Sequence, residues 1–214
     1  MTVGDCDLSI RWRRPALIYA GGRNREEFIM SENILPIAIV AAAGFIEQSL
    51  TNTQKALIAA NLPYQVITPE GALVQGWHEE SWGHHFMADR KLADVISADY
   101  CGLILLDGPN CADSLTENAH AKRLVKAAID SAKPVLAIND AIRLLVAAEV
   151  TAGRRIAAPE ALRSDLTRDG IEFVDGESLV VDGSLVTATA EAAGPVRLDA
   201  FLALLASTSV PQAA

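Results

Sequence analysis

The side chains able to do chemistry in this sequence are few, and most lie where an apolar run gives way to a turn. Asn139 and Asp140 follow the run Pro134–Ile138. Asn139 is a carboxamide, so it is no useful nucleophile and has no titrating group near pH 7. It can hydrogen-bond a ligand carbonyl or carboxylate, or it can serve to tolerate the left-handed backbone that a tight strand-to-helix turn requires. Asp140 stands where a helix should begin, a place that suits capping or compensation of the helix dipole and that would repel an anionic substrate. Cys111 is expected on the loop after a second run, Tyr100–Leu106, where a partly exposed thiol can react if a cationic neighbour lowers its pKa from about 8.5. Cys101 opens that run and reads as core packing. Glu47 and Asp113 are either an acid pair able to activate a water or solvated loop charges. His78, His84 and His85 lie among Trp77, Glu79, Glu80 and Trp82. They have metal-ligating chemistry, but neighbours in an extended segment point to opposite faces, so surface or interface packing is expected and no metal site. His120 is expected to face solvent from a helix.

The elements that must position these groups follow from periodicity. Ile34–Ala42, Tyr100–Leu106 and Pro134–Ile138 are apolar runs ending at turns, the mark of central parallel strands buried on both faces. Tyr64–Thr68 is a further strand, and Leu73–Phe86, rich in Gly, Trp and His, predicts a small hairpin. Helices are expected at Ser49–Asn61, at Thr116–Ala132 with Thr116 as cap, at Ala141–Ala148 and at Arg197–Leu205, with a short helical turn at Leu92–Ile96. Short strands are expected at Ile171–Val174, Leu179–Val181 and Leu185–Thr187, the last two joined at Asp182-Gly183. Strands alternating with helices predict an α/β, doubly wound parallel sheet with sites beyond the carboxyl ends of its strands. That directs attention to three loops, Gly44–Ser49, Asp107–Asp113 and Asn139–Ile142. Residues 1–33 read as an N-terminal extension with a possible strand at Ala16–Tyr19, 34–206 as the α/β domain and 207–214 as a tail.

The stretch Lys133-Pro-Val-Leu-Ala-Ile-Asn-Asp-Ala-Ile-Arg-Leu-Leu resembles the elbow of the ThiJ/PfpI superfamily, written there K-P-V-x-A-I-C-H-G-x-x-x-L. Gly44-Phe45, Lys55-Ala-Leu, Gly76-Trp77, Asp113-Ser-Leu, Gly153-Arg-Arg, Pro159, Leu162-Arg-Ser-Asp-Leu, Phe173-Val-Asp and Val180-Val-Asp-Gly-Ser-Leu-Val-Thr follow the same pattern in the same order. The match runs from about Ile34 to Thr189 and favours the PfpI-like branch. The resemblance implies a flavodoxin-like, class I glutamine amidotransferase-like fold and a homo-oligomer, a dimer or higher, with the hairpin as a subunit contact. It also implies a reactive cysteine on a strained elbow, tuned by acidic or histidine partners. This sequence departs at each of those places. Asn139 stands for the cysteine, Asp140 for a histidine, Ala141 for a glycine and Ser49 for the acid of the first loop, with Glu47 two residues away. Asp107-Gly108-Pro109 stands for P-G-G, and Pro109 brings no N–H to an oxyanion. Asp113 matches an acid that some members use across a subunit contact.

The chain has 214 residues, half of them hydrophobic, and a net charge of −9. An acidic surface repels phosphates and argues against nucleic-acid binding. No apolar run approaches the roughly 18 residues of a membrane span. The three cysteines, Cys6, Cys101 and Cys111, fit neither a zinc site nor a disulfide framework,. Their odd number suits a reducing, cytoplasmic setting. The basic segment Arg11–Arg14 reads as a surface arm. No cofactor is indicated. The expected function is that of a PfpI-like protein without the Cys–His pair, non-catalytic or repurposed to bind a small ligand or a partner. The alternative is a peptidase, amidase, glyoxalase or deglycase-like hydrolase that uses Cys111, or a water activated by Glu47, Asp113 or Asp140.

Overall fold

A computed structural model describes residues 35–162 and 171–208. The expectations for 1–33, the far end of the tail and most of Leu162–Leu166 lie outside the described residues. In chain order the strands of the main sheet are β1 (Ile37–Val40), β3 (Tyr64–Thr68), β6 (Arg90–Lys91), β7 (Gly102–Leu105), β8 (Val135–Ile138), β11 (Leu179–Asp182) and β12 (Leu185–Ala188). They form a seven-stranded sheet in the order β11-β12-β8-β7-β1-β3-β6. The three apolar runs lie side by side and parallel, as expected. Ile37 pairs with Gly102 on β7, and Leu103 pairs with Val135 on β8. Each of β1, β7 and β8 is buried at every position, which is why the sequence there is continuously apolar rather than alternating,. Only β11 runs against the others, joined to β12 through the expected Asp182-Gly183 turn.

The helices include α1 (Glu47–Ala59), α2 (Pro109–Glu117), α3 (Ala119–Asp130), α4 (Ile142–Ala147) and α5 (Gly194–Thr208). The single helix expected from Thr116 is in fact two. Asn118 ends α2 and caps α3, its side-chain oxygen accepting from the N–H of His120 (2.9 Å) and of Ala121 (3.2 Å). Asn outranks Thr as a cap, and that preference places the break. The turn expected at Leu92–Ile96 is a 3₁₀ turn at Leu92–Asp94, followed by another at Ser97–Asp99.

The hairpin expected at Leu73–Phe86 is β4 (Leu73–His78) and β5 (Ser81–Met87), which form a separate sheet with β2 (Phe45–Ile46). Its register shifts between Gln75 and Trp77, and its Gly76 and Gly83 lie against Glu47 at the start of α1,. A small third sheet pairs β9 (Arg155–Ile156) with β10 (Glu172–Phe173). The folding therefore delivers the loops after β1, β7 and β8 to one edge of the sheet.

Candidate functional site

The elbow after β8 keeps the strained geometry of its kind. Asn139 has φ 47 in a 3₁₀ turn, Asn139–Ala141, that leads into α4. A non-glycine residue in this region costs about 1–2 kcal/mol, least for Asn and Asp. The residue type thus matches the backbone it occupies. The Asn139 amide donates to Asp140 Oδ2 at 3.1 Å. Both residues are half-buried. α4 has only six residues, so its dipole is small,.

Cys111 requires a correction. It is not on an exposed loop. The turn signal Asp107-Gly108-Pro109-Asn110 includes a proline fit for the first position of a helix, and α2 starts there,. Cys111 thereby falls in the first turn of α2 with no exposure. Its sulfur accepts from the Ala42 N–H at 3.2 Å and donates toward the Leu106 carbonyl at 3.9 Å. Burial pushes the thiol up to about 12, and the charges of Asp107 and Asp140 add to that rise against the Ala42 bond,. Cys101, expected as the buried one, is the more exposed of the two. Its S–H donates to the Leu35 carbonyl at 3.0 Å, and burial raises its pKa as well.

Glu47 and Asp113 do not form a pair. Glu47 is the first residue of α1 and is 8% exposed. Its carboxylate turns toward the hairpin, accepting from the His84 backbone N–H and lying 3.1 Å from His84 Nδ1. Burial works to raise the Glu47 pKa, but the bonds and charge of His84 prevail and the net shift is downward. Gly83 and Gly76 make room for it. A Cβ at Gly76 would sit 2.5 Å from Glu47 Cγ, and one at Gly83 would overlap the carboxylate itself. Asp113 lies on α2 and holds Arg143 of α4 at 2.6 Å. His78 lies within electrostatic reach of Glu47, and His85 pairs across the hairpin with Gln75. Among the described residues no group of three or more His, Cys, Asp or Glu side chains is arranged to hold a metal ion.

The structure gathers a different set beside the elbow. Asp107, in the loop just after β7, is 7% exposed. Burial pushes its carboxyl above the ordinary 3.8; the Ser49 hydroxyl, the Arg197 charge and a backbone bond pull it back, and Asp140 pushes it up again. Arg197, 8% exposed on α5, donates from Nη2 to Ser49 Oγ at 3.4 Å. Asp107 Oδ1 is buried and has no hydrogen-bond partner among the described residues. The loops after β1 and β7 abut here, with the Ile46 N–H donating to the Asp107 carbonyl at 3.0 Å. Gly108, at φ 128, permits the approach, since a Cβ there would run into the Gly44 carbonyl. Sequence reasoning placed Asp107 in a candidate loop, as a turn residue and part of the P-G-G counterpart, but gave its carboxyl no role, and it missed Arg197. The latter comes from a helix 148 residues after Ser49 and carries no local signal.

A parallel sheet whose elbow residue is strained, flanked by loops that bring acids to it, defines the class. The DJ-1/PfpI family model matches residues 36–204, and the chain belongs to that family. It is 29% identical over 131 residues to Protein DJ-1 homolog D of Arabidopsis thaliana, covering 60% of this chain and 34% of that protein. The chain thus spans about a third of the length of that plant relative. It is 32% identical over 127 residues to Protein/nucleic acid deglycase 2 of Escherichia coli, covering 58% of this chain and 72% of that one. The fold is similar to that of a ThiJ/PfpI domain protein from Brachyspira murdochii, with TM-score 0.69 at 18% identity, over 82% of this chain and 96% of the other.

Proposed function

We propose that this DJ-1/PfpI protein does not carry out cysteine-dependent catalysis and that its elbow binds a small polar ligand. The observation that carries the reading is Asn139, which holds the left-handed elbow conformation with a side chain that can neither ionise nor be expelled,. The thiol of Cys111 does not replace it, being buried with its pKa pushed up to about 12. Pro109 withholds a backbone donor of the kind whose loss can cost about 10²–10³ in rate. Glu47 and Asp113 are engaged elsewhere, with His84 and Arg143.

The test is a steady-state assay of wild type, Asn139→Cys and Cys111→Ser with methylglyoxal, its protein adducts and peptides. Wild type and Cys111→Ser are expected at background. Asn139→Cys is expected to gain a reactive thiol without full turnover while Ser49 and Asp140 remain. Wild-type turnover that vanishes in Cys111→Ser would overturn the proposal. The Escherichia coli relative is named a deglycase, and this favours a second reading, hydrolysis by a water activated at Asp140. Wild-type turnover lost in Asp140→Asn and kept in Cys111→Ser would establish it.

We further infer a homo-oligomer, at least a dimer, formed through the hairpin, where Leu73, Trp82 and Met87 are 59%, 51% and 78% exposed,. A monomeric mass by light scattering at micromolar concentration would refute it. Residues 1–33 as an extension, 34–206 as the domain, 207–214 as a tail and a cytoplasmic setting complete the proposal.

A further inference from the structure

Resting on the reading of the elbow as a binding site, we propose that its ligand is a small organic cation, a primary ammonium or guanidinium group. The groups that would hold it are the carboxylates of Asp140 and Asp107 and the carbonyl of Asn139. The inventory of donors and acceptors leads there. The Asn139 amide gives one N–H to Asp140, which leaves its carbonyl oxygen free to accept, beside one further N–H,. Asp140 offers acceptors only. Asp107 adds a buried oxygen that has no partner among the described residues. Such an atom in a native fold calls for a specific explanation, and a ligand donor is one.

The two guanidinium groups near the elbow are already engaged. Arg197 is turned to Ser49 at 3.4 Å, and Arg143 to Asp113 at 2.6 Å. The charges that act on Asp107 are those of Asp140 and of the buried Arg197. The balance at the elbow is therefore acidic, where an anion is repelled and a cation attracted. An electrophilic carbonyl ligand would find no nucleophile here. Asn139 and Asp140 are half-buried at the elbow, and Asp107, which Ser49 and Arg197 hold and on which the charge of Asp140 acts, is buried beneath the surface. Ser49 and Arg197 are positioning residues that fix the carboxyl of Asp107 without touching the ligand.

The experiment is a titration of the full chain followed by amide NMR and calorimetry. The probes are n-butylamine and agmatine, with n-butanol as the uncharged match and lactate as the anion. The amines are expected to shift the amides of Ile138, Asn139, Asp140, Ala141 and Ile142. A hydrogen bond to a charged group predicts a loss of affinity of about tenfold or more in Asp107→Asn and Asp140→Asn. Glu149→Gln, an exposed acid outside the site, should bind as wild type. Asp140 is half-buried, so Asp140→Asn keeps the test decisive if Asp107→Asn does not fold. Undiminished amine binding in the folded Asp variants overturns the inference. Elbow shifts with lactate or butanol but not with amines overturn the cation while leaving a binding elbow intact. No elbow shift with any probe overturns the inference and counts against the binding reading too.

Discussion

Cys111 is the thiol whose behaviour separates a binding elbow from a cysteine-dependent one, and its reactivity can be worked out in advance. At pH 8 a thiol with the ordinary pKa of 9.0 is about one-tenth ionised, whereas one at about 12 is ionised in roughly one molecule in ten thousand,. Ionisation alone therefore slows alkylation by about a thousandfold. With no exposure, Cys111 also waits on local opening before any reagent arrives,. Cys101 is half-buried with a raised pKa of its own, so it reacts more slowly than a free thiol but ahead of Cys111. Iodoacetamide labelling at pH 8 of a Cys6→Ser background, read by peptide mass spectrometry, should give Cys101 a lead of about tenfold or more. Urea should abolish the lead. Equal native rates, or Cys111 first, would refute the burial argument and revive Cys111 as a nucleophile. The same burial has a signature in stability. A thiol raised by folding favours the folded state below the unfolded pKa near 9.0, and that contribution is lost as pH rises toward about 12,. Over that window wild type should lose about 1.4 kcal/mol per pH unit relative to Cys111→Ser.

Further outcomes follow from the elbow and the hairpin. Asn139→Gly should leave stability within about 1 kcal/mol of wild type, while Asn139→Val should lose about 2 kcal/mol or more in urea unfolding, because only the β-branched side chain resists the positive φ. Glu47→Ala leaves the His84 amide without its acceptor and should cost about 2 kcal/mol, a fall of about 4–8 °C in Tm by calorimetry. Asp107→Asn should gain on wild type as pH rises from 4 to 7. A carboxyl raised by burial favours the fold below its unfolded pKa of 3.8 and loses that contribution as pH climbs through the folded value,. Urea unfolding at several pH values would show the crossing, and parallel curves would refute it.

The central strands were legible because burial on both faces leaves an unbroken apolar run, and the hairpin because its residues are strand formers broken by turn signals. The elbow conformation was legible in Asn139 itself. Cys111 was misread because Asp107-Gly108-Pro109-Asn110 signals both a turn and a helix start, and only the second turns residue 111 inward. Glu47 was taken with Asp113 because both follow central strands. The contact that decides its role, with His84, spans 37 residues and is built by the fold. Arg197 and Asp107 escaped for the same reason. Single charges in α5 and in a turn look ordinary until the helix and the loop are brought to the same place.

The clamp between α1 and the hairpin also constrains how this sequence can change. Glu47 fits because Gly76 and Gly83 lack side chains, and the two glycines are needed because Glu47 fills the space above them. None of the three positions can drift alone. A larger residue at 76 or 83 requires a shorter one at 47, and a shorter residue at 47 leaves a gap and an unanswered His84 amide. Among close relatives these positions should change together or not at all, and the hairpin and the first turn of α1 should therefore pass from protein to protein as one inherited block.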